Sequence, residues 1–163
     1  MTPDHQINYW LDKVYHMKYP IIYIHEFLNK YFGSAGCDEV IGEGNAQLFN
    51  IKNNLVNVHY DRLKTNDNNF WFGISQQIIK QVNFFIFICN EIDNFYVIPK
   101  NNMCEMLGGV RESNSNPNQI DFHINSEEHL IEKSGKTTCI YNYFQKTGYI
   151  LGTRSKLRKG VRR

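Results

Sequence analysis

Residues 84–89 read FFIFIC, six apolar side chains with no polar residue between them. A strand with one wet face alternates, so an unbroken run of this length predicts a central strand buried on both faces. Working outward, LVNVHY (55–60) puts Val56, Val58 and Tyr60 on one face and Asn57 and His59 on the other. In IDFHIN (120–125) the same period sets Phe122 and Ile124 opposite His123. Both strand histidines are therefore expected to face away from the more apolar side.

AQLFNI (46–51), FWFGI (70–74), FYVIP (95–99) and TCIYNYF (138–144) are further short runs rich in β-formers, separated by polar turns. Asn53-Asn54 between two runs suits a tight hairpin, since asparagine tolerates positive φ. SQQIIKQV (75–82) and NNMCEML (101–107), the latter stopped by Gly108-Gly109, read as short helices. Before this β-rich part, Ile7, Leu11, Val14 and Tyr15, and then Ile24, Phe27, Leu28 and Tyr31, recur at helical spacing. Pro20 splits that stretch into two helices, Gly33 offers a C-cap, and GSAG (33–36) makes a loop. The fold class expected is mixed and mainly β: helices over 1–33, then about seven strands over 38–151 in a curled sheet or small open barrel.

The 163 residues suffice for one domain that buries roughly 70% of its unfolded surface. The formal charge of +2 is set by the last twelve residues, GTRSKLRKGVRR, which hold six of the 18 Lys and Arg and no acid. The 12 basic and 16 acidic residues that remain leave the body, 1–151, at −4. Residues 152–163 read as a basic tail or the start of a linker. Cys37, Cys89, Cys104 and Cys139 form no CxxC pair, and Cys89 and Cys139, inside apolar runs, are expected to be buried and reduced. No signal-peptide pattern opens the chain and no run reaches the ~18 apolar residues of a bilayer span, so a cytoplasmic protein without a membrane partner is expected.

Catalytic patterns fail one by one. A PD-(D/E)XK nuclease needs Asp/Glu-x-Lys on one strand, to hold a divalent metal beside an activated water. No Asp, Glu or Gln has a lysine two residues on. GxxxxGK[ST], GxGxxG after a strand, HExxH and GxSxG are likewise missing, and Gly42-Glu43-Gly44 reads as a turn or bulge. The six histidines show no ligand spacing. No catalytic residue, metal ligand or cofactor is assigned, and a nuclease domain stays only as an alternative.

Two long polar connections remain. DRLKTNDNN (61–69) carries Arg62, Lys64, Asn66, Asn68 and Asn69, and RESNSNPNQ (111–119) carries Arg111, Asn114 and Asn116. Asn and Ser are common turn formers, and they are also side chains that pair with base edges: Arg with guanine, Asn or Gln with adenine. Nine residues exceed the usual two to five of a hairpin, and loops of that length more often carry function.

The ordered series VNVHYDRLK, FWFGIS, FFIFICN, FYVIPKNNMCEML, IDFHINSEEHLIE and IYNYF resembles the B3-like DNA-binding domains of bacterial restriction proteins. More narrowly it is similar to the N-terminal specificity domain of McrB-like subunits of LlaJI-type systems, over roughly residues 40–150. The resemblance implies a seven-stranded open pseudobarrel with flanking helices, gripping double-stranded DNA with two arms in the major groove. The arms would be the loop bearing Arg62, Lys64, Asn66, Asn68 and Asn69 and a second bearing Arg111, Asn114 and Asn116. It further implies a larger restriction subunit with an AAA+ GTPase domain, and a separate nuclease subunit as partner. The body charge of −4 departs from what a strong DNA binder shows. Other readings stay open: a pocket of Tyr60, Trp71 and Tyr96 holding a flipped, modified base, or a protein-interaction module.

Overall fold

The computed structural model describes residues 20–33, 37–40, 47–63, 68–108 and 119–152. Helix α1 (Pro20–Phe32) opens the described chain; the helix expected over 8–19, the turn at Gly42–Gly44 and most of the basic tail lie outside it. Strands β1 (Cys37–Val40), β2 (Leu48–Ile51), β3 (Asn54–Asp61), β5 (Phe84–Cys89) and β6 (Phe95–Pro99) form one sheet in the order β1-β2-β3-β5-β6. Strands β4 (Phe70–Ser75), β7 (Gln119–Ile124), β8 (His129–Glu132) and β9 (Thr137–Cys139) form the second, in that order. The protein is thus mixed and mainly β, as expected, but its strands divide between two sheets and neither closes into a barrel.

FFIFIC is the strand that joins everything. β5 lies between β3 and β6 and is buried over Phe85–Cys89. Its two faces enter different cores. Phe85, Phe87 and Cys89 point between the sheets, toward Phe72 and Ile74 of β4 and Phe122 of β7. Ile86 and Ile88 point the other way, under Ile24, Phe27 and Leu28 of α1. Three layers result: helix, five-stranded sheet, four-stranded sheet.

The pairing of β3 with β5 is parallel, which a hairpin cannot make. The crossover between them, residues 62–83, contains β4 and α2 (Gln76–Gln81), so the chain leaves the first sheet, contributes a strand to the second and returns. Ser75 caps α2 by accepting from Gln77 N at 3.2 Å. α3 (Lys100–Met106) follows β6, and Gly108 at φ 68 ends it as its sequence suggested. After β9 come a 3₁₀ turn (Tyr141–Tyr143) and α4 (Gly148–Leu151), with a Tyr96–Phe144 bridge along the edge of β6.

Three details depart from expectation. The turn between β2 and β3 sits one residue earlier: Lys52 (φ 50) and Asn53 (φ 67) are its left-handed pair, and Asn54 already pairs with Ile51. His59 faces inward, its ring 5.4 Å from Phe87 and 6.1 Å from Phe72, because the side of β3 away from α1 is covered by the second sheet. Cys139 is exposed, since the apolar run it begins breaks into the 3₁₀ turn, whereas Cys89 is buried as expected.

Lys52→Gly is expected to stabilise the protein by about 0.5 kcal/mol, because glycine escapes the left-handed penalty and returns part of it as unfolded-state entropy. A urea midpoint that stays put or falls would show that this turn is not strained.

Candidate nucleic-acid interface

The first polar connection leaves the C-terminal end of β3 and enters β4. Asp61 belongs to the strand, and its Oδ2 accepts from Trp71 N at 2.8 Å, drawing the two ends of the loop together. Asn90, at φ 71, holds the outgoing side from three atoms. Its N–H donates to Asp61 O at 2.8 Å, its carbonyl accepts from Tyr60 Oη at 2.8 Å, and its Oδ1 accepts from Leu63 N at 2.9 Å. Asparagine is the side chain that both tolerates this backbone region and supplies the acceptor. Sequence reading missed this residue; an Asn directly after a buried strand is the signal that could have found it.

Arg62 is half-buried at the loop's root, lining a hollow of 360 Å³ with Tyr23, Glu26, Tyr60, Asn90, Glu91 and Ile92. Tyr60 stacks flat on Tyr23 with ring centres 4.9 Å apart, and burial pushes its hydroxyl up to about 12, with the Arg62 charge opposing. Asn68 is exposed and Asn69 half-buried where the chain re-enters β4. Lys64 and Asn66 lie outside the described residues, as do Arg111, Asn114 and Asn116 of the second connection. That connection, residues 109–118, runs from the end of α3 to Gln119, which is already the first residue of β7.

The two connections are tied to one structural unit. β4 and β7 are antiparallel in full register, from Phe70↔Ile124 to Ser75↔Gln119. The first connection enters at Phe70 and the second at Gln119, so they meet opposite ends of the same strand pair. Those ends are roughly 17 Å apart at ~3.4 Å per residue. B-DNA rises by the same ~3.4 Å per base on each strand, so the span matches about five base steps.

Between the two entry points lies the outer face of the second sheet. A groove of 660 Å³ is lined there by Trp71, Gly73, Gln119, Asp121, His123 and Ile131, with Lys133 and Gly135 at the β8–β9 turn. Trp71 is 49% exposed, and its ring lies 4.5 Å from that of His123, the cross-strand partner. Gln119 Nε2 donates to Asp121 Oδ1 at 2.7 Å, and the pair lies over Gly73, where an added Cβ would meet Gln119 Nε2 at 2.0 Å. Only glycine lets the pair lie this close, and a side chain at 73 would push it aside. Lys136 Nζ donates to Glu105 O, tying the β8–β9 turn to α3 near the start of the second connection.

His123 lies opposite Phe122 and Ile124, and His59 opposite Val56 and Val58, as expected, but the face that carries His59 is covered by the second sheet. Tyr60, Trp71 and Tyr96 do not converge: Tyr60 lies against Tyr23, Trp71 lines the groove, and Tyr96 is buried with its hydroxyl donating to Glu128 at 2.8 Å. Among the described residues no group of three or more His, Cys, Asp or Glu is arranged to hold a metal ion, and no helix is long and apolar enough to cross a membrane.

The architecture is that of a two-sheet, mainly β domain whose described residues form an aromatic and polar groove between the entry points of two long connections. No protein-family model, curated protein or solved structure matches the chain.

Proposed function

We propose that this chain binds double-stranded DNA at a specific sequence and performs no catalysis itself. In this reading residues 62–69 and 109–118 are the two arms that enter the major groove, and the two sheets are the walls of a B3-like open pseudobarrel. The domain directs a restriction complex in the cytoplasm, in which a separate subunit cuts and an AAA+ module elsewhere in the same subunit hydrolyses nucleotide. One observation carries the reading: both polar connections enter the same β4–β7 pair, at opposite ends, so they bracket one face with a spacing commensurate with DNA. Direct readout needs such a rigid platform, because each bidentate base contact discriminates by about 1–3 kcal/mol only if the side chain is held in place.

Arg62→Ala tests it. Binding to the cognate duplex, found by selection from a random library, is expected to fall about 10- to 100-fold, while binding to unrelated duplex changes little. Removing residues 153–163 is expected to weaken both alike and flatten the salt dependence. Equal losses on all sequences after Arg62→Ala would exclude it as a base reader.

A further inference from the structure

The groove on the outer face of β4 and β7 has features that duplex reading by the arms leaves unused. Trp71 keeps 49% of its surface in water beside His123, whereas Phe72 and Phe122, on the other side of the same two strands, are buried. An exposed indole on a rigid sheet is a stacking platform, sequence-tolerant because every base has a π-face. Next to it the Gln119–Asp121 pair is fixed by its 2.7 Å bond and by its seat over Gly73. The carboxylate of Asp121 repels a phosphate but accepts N–H bonds, as from the amino group of cytosine. Lys133, at the rim of the same groove, is placed for the backbone instead.

We infer that this groove binds an unpaired nucleotide of a single strand, its base stacked on Trp71 and its exocyclic amino group donating to Asp121. The choice of a nucleobase over another ring-shaped ligand rests on the DNA-binding reading above. The volume of 660 Å³ lies within the range of small-ligand sites and takes one or two nucleotides. Selectivity follows from the acceptor: a base with an amino group is preferred to thymine, which offers a carbonyl at the same position.

The test uses fluorescence anisotropy of labelled oligo(dC) and oligo(dT) with the full chain at low salt. Oligo(dC) is expected to bind roughly fivefold or more tightly than oligo(dT). Trp71→Ala is expected to weaken both about 10- to 100-fold, with Trp71→Phe retaining most of the affinity. Gly73→Ala is the second variant. The three atoms nearest its Cβ belong to the flexible ends of Gln119 and Asp121, and Gly73 does not have a positive φ, so the chain is expected to fold. It should keep Trp71-dependent binding and lose the preference for dC. Equal affinity for the two oligonucleotides, indifference to Trp71→Ala, or Trp71-dependent binding of a maltooligosaccharide in place of DNA would each overturn the inference. Arg62-dependent duplex binding with no single-strand binding overturns the inference alone, whereas no binding of either form overturns the DNA-binding reading as well.

Discussion

Phe87→Ala is expected to destabilise the fold by about 3–5 kcal/mol, the range for truncating a buried phenylalanine. Phe87 is fully buried at the centre of β5, with ring centres 5.0 Å from Phe72, 5.2 Å from Phe122 and 5.4 Å from His59. Those neighbours come from β4, β7 and β3, so a single ring joins the two sheets. Truncation would leave a cavity that strands on both sides, each hydrogen-bonded to further strands, cannot collapse to fill. For a domain whose whole stability is of order 5–15 kcal/mol, this is enough to unfold a large fraction of molecules at 37 °C. Urea titration checks it: the midpoint should drop sharply with the slope nearly unchanged. Tyr141→Ala, at a site 58% exposed, serves as control and is expected to stay within about 0.5 kcal/mol. Comparable losses from the two variants would mean that the inter-sheet core is not where the fold is held.

The second large effect is acid sensitivity centred on His59. Desolvation between Phe72 and Phe87 pushes its imidazole down to about 4. Asn57, 1% exposed, donates from Nδ2 to Gln47 O at 3.1 Å, so its Oδ1 is the acceptor facing His59 Nε2 at 2.5 Å. His59 is therefore neutral with its proton on Nε2. In the unfolded chain the ring takes up a proton near pH 6.5, but in the folded protein not until about 4. The unfolded state binds more protons across that window, so stability is complete above about pH 6.5 and falls as the pH drops toward 4. Below that the imidazole is charged in both states and its contribution stops changing. Between pH 7 and pH 4.5 the loss amounts to about 2–3 kcal/mol. In His59→Gln, which keeps a donor for Asn57 but cannot charge, the difference in stability between pH 7 and pH 4.5 should shrink by that amount. Carboxylates titrating in the same range are common to both proteins and cancel. An unchanged pH dependence would place the acid-sensitive group elsewhere.

Local features were the most legible. The helical face of Ile24, Phe27 and Leu28, the start of α2 at Ser75, the stop of α3 at Gly108 and the two-sided burial of FFIFIC all follow from spacing, capping and the absence of polar alternation. Two short strands were missed. CDEV (37–40) and HLIE (129–132) have four residues each, with charges in both, too little for the period-2 pattern to register. HLIE nonetheless alternates, burying Leu130 and Glu132; the Glu132 carboxylate accepts from Ser134 N at 3.1 Å and from Ser134 Oγ at 2.5 Å. A buried polar group with such partners is stable in place but reads as surface in a sequence. Of the site, Arg62, Asn68 and Asn69 are legible in the sequence as polar loop residues. Asn90, Gln119 and Asp121 are not, because their roles depend on Leu63 and Gly73, which lie 27 to 48 positions away along the chain.

The sequence by itself determined that β5 would be central and two-faced, that α1 would cover an apolar surface, and that two long polar connections would interrupt the strands. Alternation along a strand records that its faces differ; it carries no information about which strand pairs beside it or what covers each face. Only the tertiary structure decided that β4 leaves the first sheet to pair with β7, setting His59 against Phe72 and Phe87 between the sheets and placing Trp71 and the half-buried His123 on the outer face. The same long-range pairing brought the two connections to opposite ends of one groove, and with them the surface on which the proposed recognition of DNA depends.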